Sequence, residues 1–200
     1  MVVLFWLKIF LIMSFKQHIA LLNDSLPKEE DLEILNIVSE ELAKEIVNAA
    51  LEKKLTLIFG NGGSATDASH WSSELVASYE QRGRKALPVI SLTENLSTIT
   101  AIANDDNFEN VFARQVDAYG SNLGLAIGLS TSGQSKNVLR ALDNAKKYGS
   151  ITVLITGSRY EKIGKYDKEI IFNSNHVGTI QTLSQIFYHS VSDEVEKIIS

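Results

Sequence analysis

Residues Ile58–Leu75 read "IFGNGGSATDASHWSSEL". A hydrophobic run ends in Gly60-Asn61-Gly62-Gly63-Ser64, and a helical pattern follows. This is the signature of a buried strand turning sharply into a helix. Glycines allow the turn and a close approach of backbone to ligand, while free N–H groups at the helix start attract an anion. Ser64 is expected to cap the helix or to donate its hydroxyl. His70 and Glu74 lie four residues apart, hence on one helix face, and follow the anion site at about 1.5 Å per residue.

Four more short apolar runs lie downstream: "ALPVISL" (86–92), "LGLAIGLS" (123–130), "ITVLITG" (151–157) and "EIIFNS" (169–174). Helical patterns separate the five runs, over Ala65–Tyr79, Leu96–Tyr119 in two pieces and Asn137–Tyr148, and Thr179–Ile199 follows the last. Near-continuous apolar strands alternating with helices predict a parallel sheet covered on both faces. Upstream, Leu32, Leu35, Val38, Leu42, Ile46 and Ala49 recur at helical spacing, and Pro27 breaks the arm into two helices. The expected fold is therefore α/β: a three-layer, flavodoxin-like sandwich with a five-stranded parallel sheet. An N-terminal helical arm (about 17–51) precedes an α/β core (about 55–200), and both belong to one domain over residues 13–200.

Composition narrows the function. A chain of 200 residues, 44% hydrophobic, can bury a sizeable core. Its net charge of −5 argues against a general nucleic-acid binder, which needs a basic stripe. The nearest candidate, Arg82-Gly83-Arg84-Lys85, reads as a solvated loop. With no cysteine, disulfides, thiolate metal sites and a cysteine nucleophile are excluded. The first residues, "MVVLFWLKIFLIMSF", are apolar except for Lys8 and Ser14. The segment is shorter than the roughly 20 residues of a membrane span. It also lacks a basic leader and an obvious cleavage site. Residues 1–12 are read as an upstream extension with translation starting at Met13; a buried or interface helix and a membrane or export signal are the alternatives.

In a parallel α/β sheet, ligands sit beyond the carboxyl ends of the strands. Two loops there are rich in glycine and hydroxyls: Gly60–Ser64, and Ser130-Thr131-Ser132-Gly133-Gln134-Ser135. Two such cradles in one sheet point to a phosphorylated ligand rather than to ordinary capped turns. The pattern Gly60-x-Gly62-x-x-Ala65 also matches a dinucleotide fingerprint, but the expected ribose-binding acid is misplaced. Glu80 precedes the second strand and Glu94 comes too late. A dinucleotide would also leave His70 and Glu74 unexplained. That pair reads as a metal site, an acid–base pair or a surface ion pair. In the last helix, Gln181 and His189 interrupt an apolar stripe.

Four ordered motifs, "GNGGSATDASHWSSEL", "TITAIANDDNFENVFARQV", "STSGQSKNVLRAL" and Gln181 with His189, resemble the bacterial phosphoheptose isomerases of the sugar-isomerase (SIS) domain superfamily. The resemblance runs from about Gln17 to the C-terminus. It implies interconversion of sedoheptulose 7-phosphate and D-glycero-D-manno-heptose 7-phosphate for bacterial surface polysaccharides such as lipopolysaccharide. It further implies a cytoplasmic homotetramer with sites at subunit contacts and one zinc ion per subunit. By motif, Asn61, Gly62, Gly63, Ser64, Asn104 and Asp105 would touch substrate, with Ser130, Thr131, Ser132 and Ser135 on the phosphate. His70, Glu74, Gln181 and His189 would surround the metal, Gln181 and Glu74 also facing substrate. Glu74 and His189 would transfer the proton.

Two positions depart from the family pattern: Ser78 and Thr179 stand where arginines are common. They open the alternative of an isomerase acting on another sugar phosphate. A non-catalytic SIS module that binds sugar phosphates or a replication initiator is the other alternative. Gln181 and His189 are about 12 Å apart along a straight helix. The expectation is therefore a site assembled from more than one subunit, or a helix distorted between them.

Overall fold

A computed structural model of the chain describes residues 13–200. The reading of residues 1–12 as an extension lies outside them. The arm is two helices, α1 (Phe15–Ser25) and α2 (Glu29–Leu51). Ser14 and Gln17 close a reciprocal capping box at the start of α1. Pro27 separates the two, and Glu29, Glu30 and Asp31 place negative charge against the positive end of the α2 dipole.

The core follows as β1 (Leu55–Gly60), α3 (Gly63–Val76), β2 (Val89–Ser91), α4 (Leu96–Asp105), α5 (Ala113–Tyr119), β3 (Leu123–Ser130), α6 (Lys136–Lys147), β4 (Ile151–Gly157), β5 (Lys168–Phe172) and α7 (Val177–Ile199). All five strands are parallel, in the order β2-β1-β3-β4-β5. The predicted three-layer α/β sandwich is the observed fold. Strand residues alternate between two cores. Ile58, Ile127 and Val153 pack with Leu42, Trp71 and Val191 from α2, α3 and α7. Leu57, Ala126 and Leu154 pack with Val116, Val138 and Leu142 from α5 and α6 on the other face.

The second strand is shorter than the 86–92 run suggested. Pro88 accepts a bond from the Thr56 N–H (3.1 Å) but has none to give, so pairing starts only at Val89, on the sheet edge. After β2 the chain crosses back past β1 to β3, so the strand order reverses between β1 and β3. The loops leaving these two strands diverge at their carboxyl ends, which is where such sheets bind ligands. Asn61 and Asn137 join the loops by exchanging amide hydrogen bonds in both directions, at 2.9 and 2.8 Å.

Arg84 corrects the reading of residues 82–85 as a solvated loop. Its side chain is 2% exposed and donates from Nε to Glu196 Oε1 on α7 (2.8 Å), itself 2% exposed. The guanidinium also donates to the backbone carbonyls of Glu74 and Leu75. Glu196 further accepts the N–H groups of Tyr79, Glu80 and Gln81 at 2.8–2.9 Å. A buried carboxylate is costly unless paired. Here burial, which opposes the charge, is outweighed by Arg84 and the three amides, and the Glu196 carboxyl is held down to about 2.

Because its folded pKa is depressed, Glu196 adds stability that is present above the ordinary carboxylate range and is lost as pH falls toward 2. The full shift is worth on the order of 3 kcal/mol. Denaturant melts of wild type and Glu196→Gln across pH 2 to 7 are expected to converge at the acid end, and parallel curves would refute this linkage.

Candidate active site

Glu74 sits at the centre of the site. It lies on the last turn of α3 and is 6% exposed. Its Oε1 is 3.2 Å from His70 Nε2 and 3.0 Å from His189 Nε2. His70 comes from the same helix, one turn earlier, and His189 from α7, which packs against α3. One donor atom from each of the three residues lies within 4.8 Å of the others, a spacing open to a metal ion. Two imidazoles and a carboxylate form a donor set suited to zinc or a similar divalent ion. Burial pushes the Glu74 carboxyl up, against the pull of the Ser192 hydrogen bond and the two histidines.

Both imidazoles are oriented by neighbours. The Tyr188 hydroxyl lies 2.9 Å from His70 Nδ1, which leaves Nε2 to face Glu74. Burial raises the Tyr188 phenol, so it stays protonated. Gln185 reaches the same Nδ1 at 3.4 Å. The Tyr79 ring stacks on His189 with centroids 5.2 Å apart and a 20° tilt. Ser192 Oγ donates to the other Glu74 oxygen, Oε2, at 3.0 Å.

The remaining sequence candidates fall into three groups. Gly62, Gly63 and Ser64 begin α3, but the cap position belongs to Gly62, at φ +56°, where only glycine sits without strain. Ser64 therefore does not cap the helix. It is buried in the first turn, and its N–H bonds to the Asn61 carbonyl. Gln181 lies against Gly63, where any β-carbon would collide with its amide. It is two turns from His189 on an unbroken α7, so the distorted-helix alternative does not hold within the chain. His70, Glu74 and His189 gather without Gln181.

The second cradle follows β3. Ser130 Oγ donates to Ser135 Oγ (3.0 Å), Gln134 N–H bonds to Ser132 Oγ, and the Thr131 carbonyl accepts from Gly157 N–H. Ser135 occupies the cap position of α6 without capping it through its side chain. Asn104 and Asp105 stand exposed at the end of α4, bonded to each other at 2.8 Å and not to the histidine–glutamate trio. Of the two departures, Thr179 is buried, with its hydroxyl 3.0 Å from His176 Nδ1, and Ser78 follows α3 half-buried.

Tyr79, Gln185, Tyr188 and Ser192 are the site residues that sequence reading missed. Gln185 and Ser192 lie four before and three after His189, hence on its face of α7, so helical spacing carried that signal. Tyr79 follows α3 and carried none.

The SIS domain family matches residues 16–157, more than half the chain. The chain belongs to the SIS-domain family. Within it, the chain is 36% identical over 190 residues to a phosphoheptose isomerase of Fusobacterium nucleatum, covering 94% of this chain and 95% of the relative. It is 39% identical to one from Thermodesulfovibrio yellowstonii, over 85% of this chain and 83% of the relative. The solved phosphoheptose isomerase of Neisseria gonorrhoeae superposes with a TM-score of 0.78 at 28% identity, covering 90% of this chain and 95% of that one. That of Francisella tularensis gives 0.77 at 27% identity, over 93% of this chain and all of the other. These SIS-domain relatives match the chain from the arm through the core.

Removing the Ser192 hydroxyl takes away a donor that favours the charged Glu74. In Ser192→Ala, measured metal-free by carboxyl carbon NMR, the Glu74 titration is expected to move to higher pH than in wild type.

Proposed function

We propose that the chain is a ketose–aldose isomerase that converts sedoheptulose 7-phosphate to D-glycero-D-manno-heptose 7-phosphate through an enediol. The observation that carries this is a buried Glu74 carboxylate held 3.0 Å from His189, on the helix that leaves the first of the two glycine- and hydroxyl-rich loops. Phosphoheptose isomerase relatives spanning nearly the whole chain support the same substrate class.

The substrate phosphate is held by Ser130, Thr131, Ser132 and Ser135, with backbone N–H groups at the start of α6. Asn61, Gly62, Gly63, Ser64, Gln181, Asn104 and Asp105 bind the sugar. Glu74 takes the proton from C1, and the C1–H electrons form the C1=C2 bond of the enediol as the C2 oxygen is protonated. The same proton is then returned to C2 while O1 gives up its own, so the sum is an isomerisation with no external reagent. His189 exchanges protons with the oxygens. A carboxyl raised by burial is a stronger base than an exposed one, which suits this step. His70, Glu74 and His189 are the residues that would hold a zinc ion, with Gln181 of a neighbouring copy in the tetramer as a further ligand. That ion would polarise the substrate oxygens and stabilise developing negative charge.

A homotetramer is part of this proposal. Leu26 between α1 and α2, Leu32, Ile34 and Ile37 on α2, and Ile186 on α7 are at least 47% exposed, which supports burial against further copies. A cytoplasmic location and a place in heptose supply for lipopolysaccharide complete it. Among the described residues, no helix is long and apolar enough to cross a membrane.

The test is turnover of a panel of ketose phosphates, with and without added zinc. Sedoheptulose 7-phosphate should be the preferred substrate, and Glu74→Gln should lower kcat by about 100-fold or more with the fold intact. No turnover of any heptulose phosphate by the wild-type protein would end the assignment.

A further inference from the structure

The two halves of the site come from helices far apart in sequence, so some contact must set their spacing. Glu74 closes α3 at its C-terminal end, while His189 lies mid-way along α7. Hydrophobic packing between α3 and α7 is adaptable over fractions of an ångström. A buried ion pair with directional bonds is not. We propose that Arg84 and Glu196 form a clamp that fixes the Glu74–His189 distance, and that both are positioning residues for the isomerase reaction. This rests on the isomerase reading above only for its kinetic consequence.

Three observations carry it. Arg84 holds the backbone carbonyl of Glu74 itself, together with that of Leu75. The same guanidinium holds Glu196, two helical turns beyond His189 on α7. Glu196 in turn takes the N–H of Tyr79, whose ring stacks on the His189 imidazole. One buried ion pair thereby contacts the main chain of the base, the helix of its partner and the ring lying on that partner. Both side chains are 2% exposed, and neither touches the three chelating groups directly. A structural tie meant only for stability would not need to converge on these residues.

The bonding pattern also predicts which substitutions break the clamp. Glu196 Oε1 serves Tyr79 and Arg84, while Oε2 serves Glu80 and Gln81. In Glu196→Gln, one side of the amide must present N–H groups to N–H donors, so half of the clamp fails. In Arg84→Lys the charge beside Glu196 survives, but the planar fork to the α3 carbonyls does not.

Both variants are to be purified, shown folded by circular dichroism, and assayed with sedoheptulose 7-phosphate well below their melting temperatures. The expected result is a fall in kcat of about 10- to 100-fold, with KM close to wild type because the phosphate loop after β3 is untouched. Crystal structures of the variants should show the Glu74–His189 contact lengthened. If Glu196→Gln does not fold, Arg84→Lys decides alone, since it keeps the buried pair. Folded variants with wild-type kcat and an unchanged contact would overturn the clamp, as would a fall in kcat with the contact intact. A lengthened contact in the variants, together with a wild-type protein that isomerises no heptulose phosphate, would sustain the clamp and sink the isomerase reading instead.

Discussion

Taking a carboxylate out of water costs several kcal/mol unless something inside answers its charge, and the site is organised around that constraint at Glu74. Two imidazoles face one of its oxygens and a serine hydroxyl the other. The result is a group that remains chargeable yet sits above the ordinary carboxylate range, because its partners only partly offset its burial. Were Glu74 exposed, burial would no longer raise its carboxyl, and the imidazoles would lose the one acceptor they share. The small residues of α3 help here. Ser72 and Ala68 let the helix sink against its surroundings, and Trp71 stacks on Tyr188 at 5.4 Å on the same wall.

The proposed function sets the sheet a separate problem, the recognition of an anion by a chain of net negative charge. No basic stripe is needed when two loops leave the sheet where its strand order reverses and present backbone N–H groups and hydroxyls. The reciprocal Asn61–Asn137 amides make those loops one rigid unit. Under the proposed function, the phosphate end of a substrate would be met by the β3 side and the reacting end by α3 and α7.

Much of this was legible in the residues. Period and run length gave the parallel sheet, since strands buried on both faces, such as "LGLAIGLS", carry an unbroken apolar signal. The i,i+4 spacing of His70 and Glu74 placed them on one face, and motif resemblance brought His189 to them. What stayed hidden was long-range. Nothing in "QRGRK" distinguishes the buried Arg84 from the exposed Arg82, because its burial depends on an acid 112 residues away. Edge effects were equally opaque, as the truncation of β2 by Pro88 shows. Ser64 looked like a cap from its residue type, yet the cap falls at Gly62 with its positive φ, two residues earlier.

Helix α4 has no buried residue, and Leu96 at its start is 70% exposed. Its apolar anchorage is three half-buried residues, Ile99, Ile102 and Ala103, against the α5–α6 core, and segments so lightly anchored open locally at a fraction of the global unfolding free energy. The fold thus pairs a stiff α3–α7 wall with a compliant element that carries Asn104 and Asp105. Amide protons on α4 would exchange with deuterium long before those of α7, and any molecule that engages its outer face would order it at an entropic cost of its own.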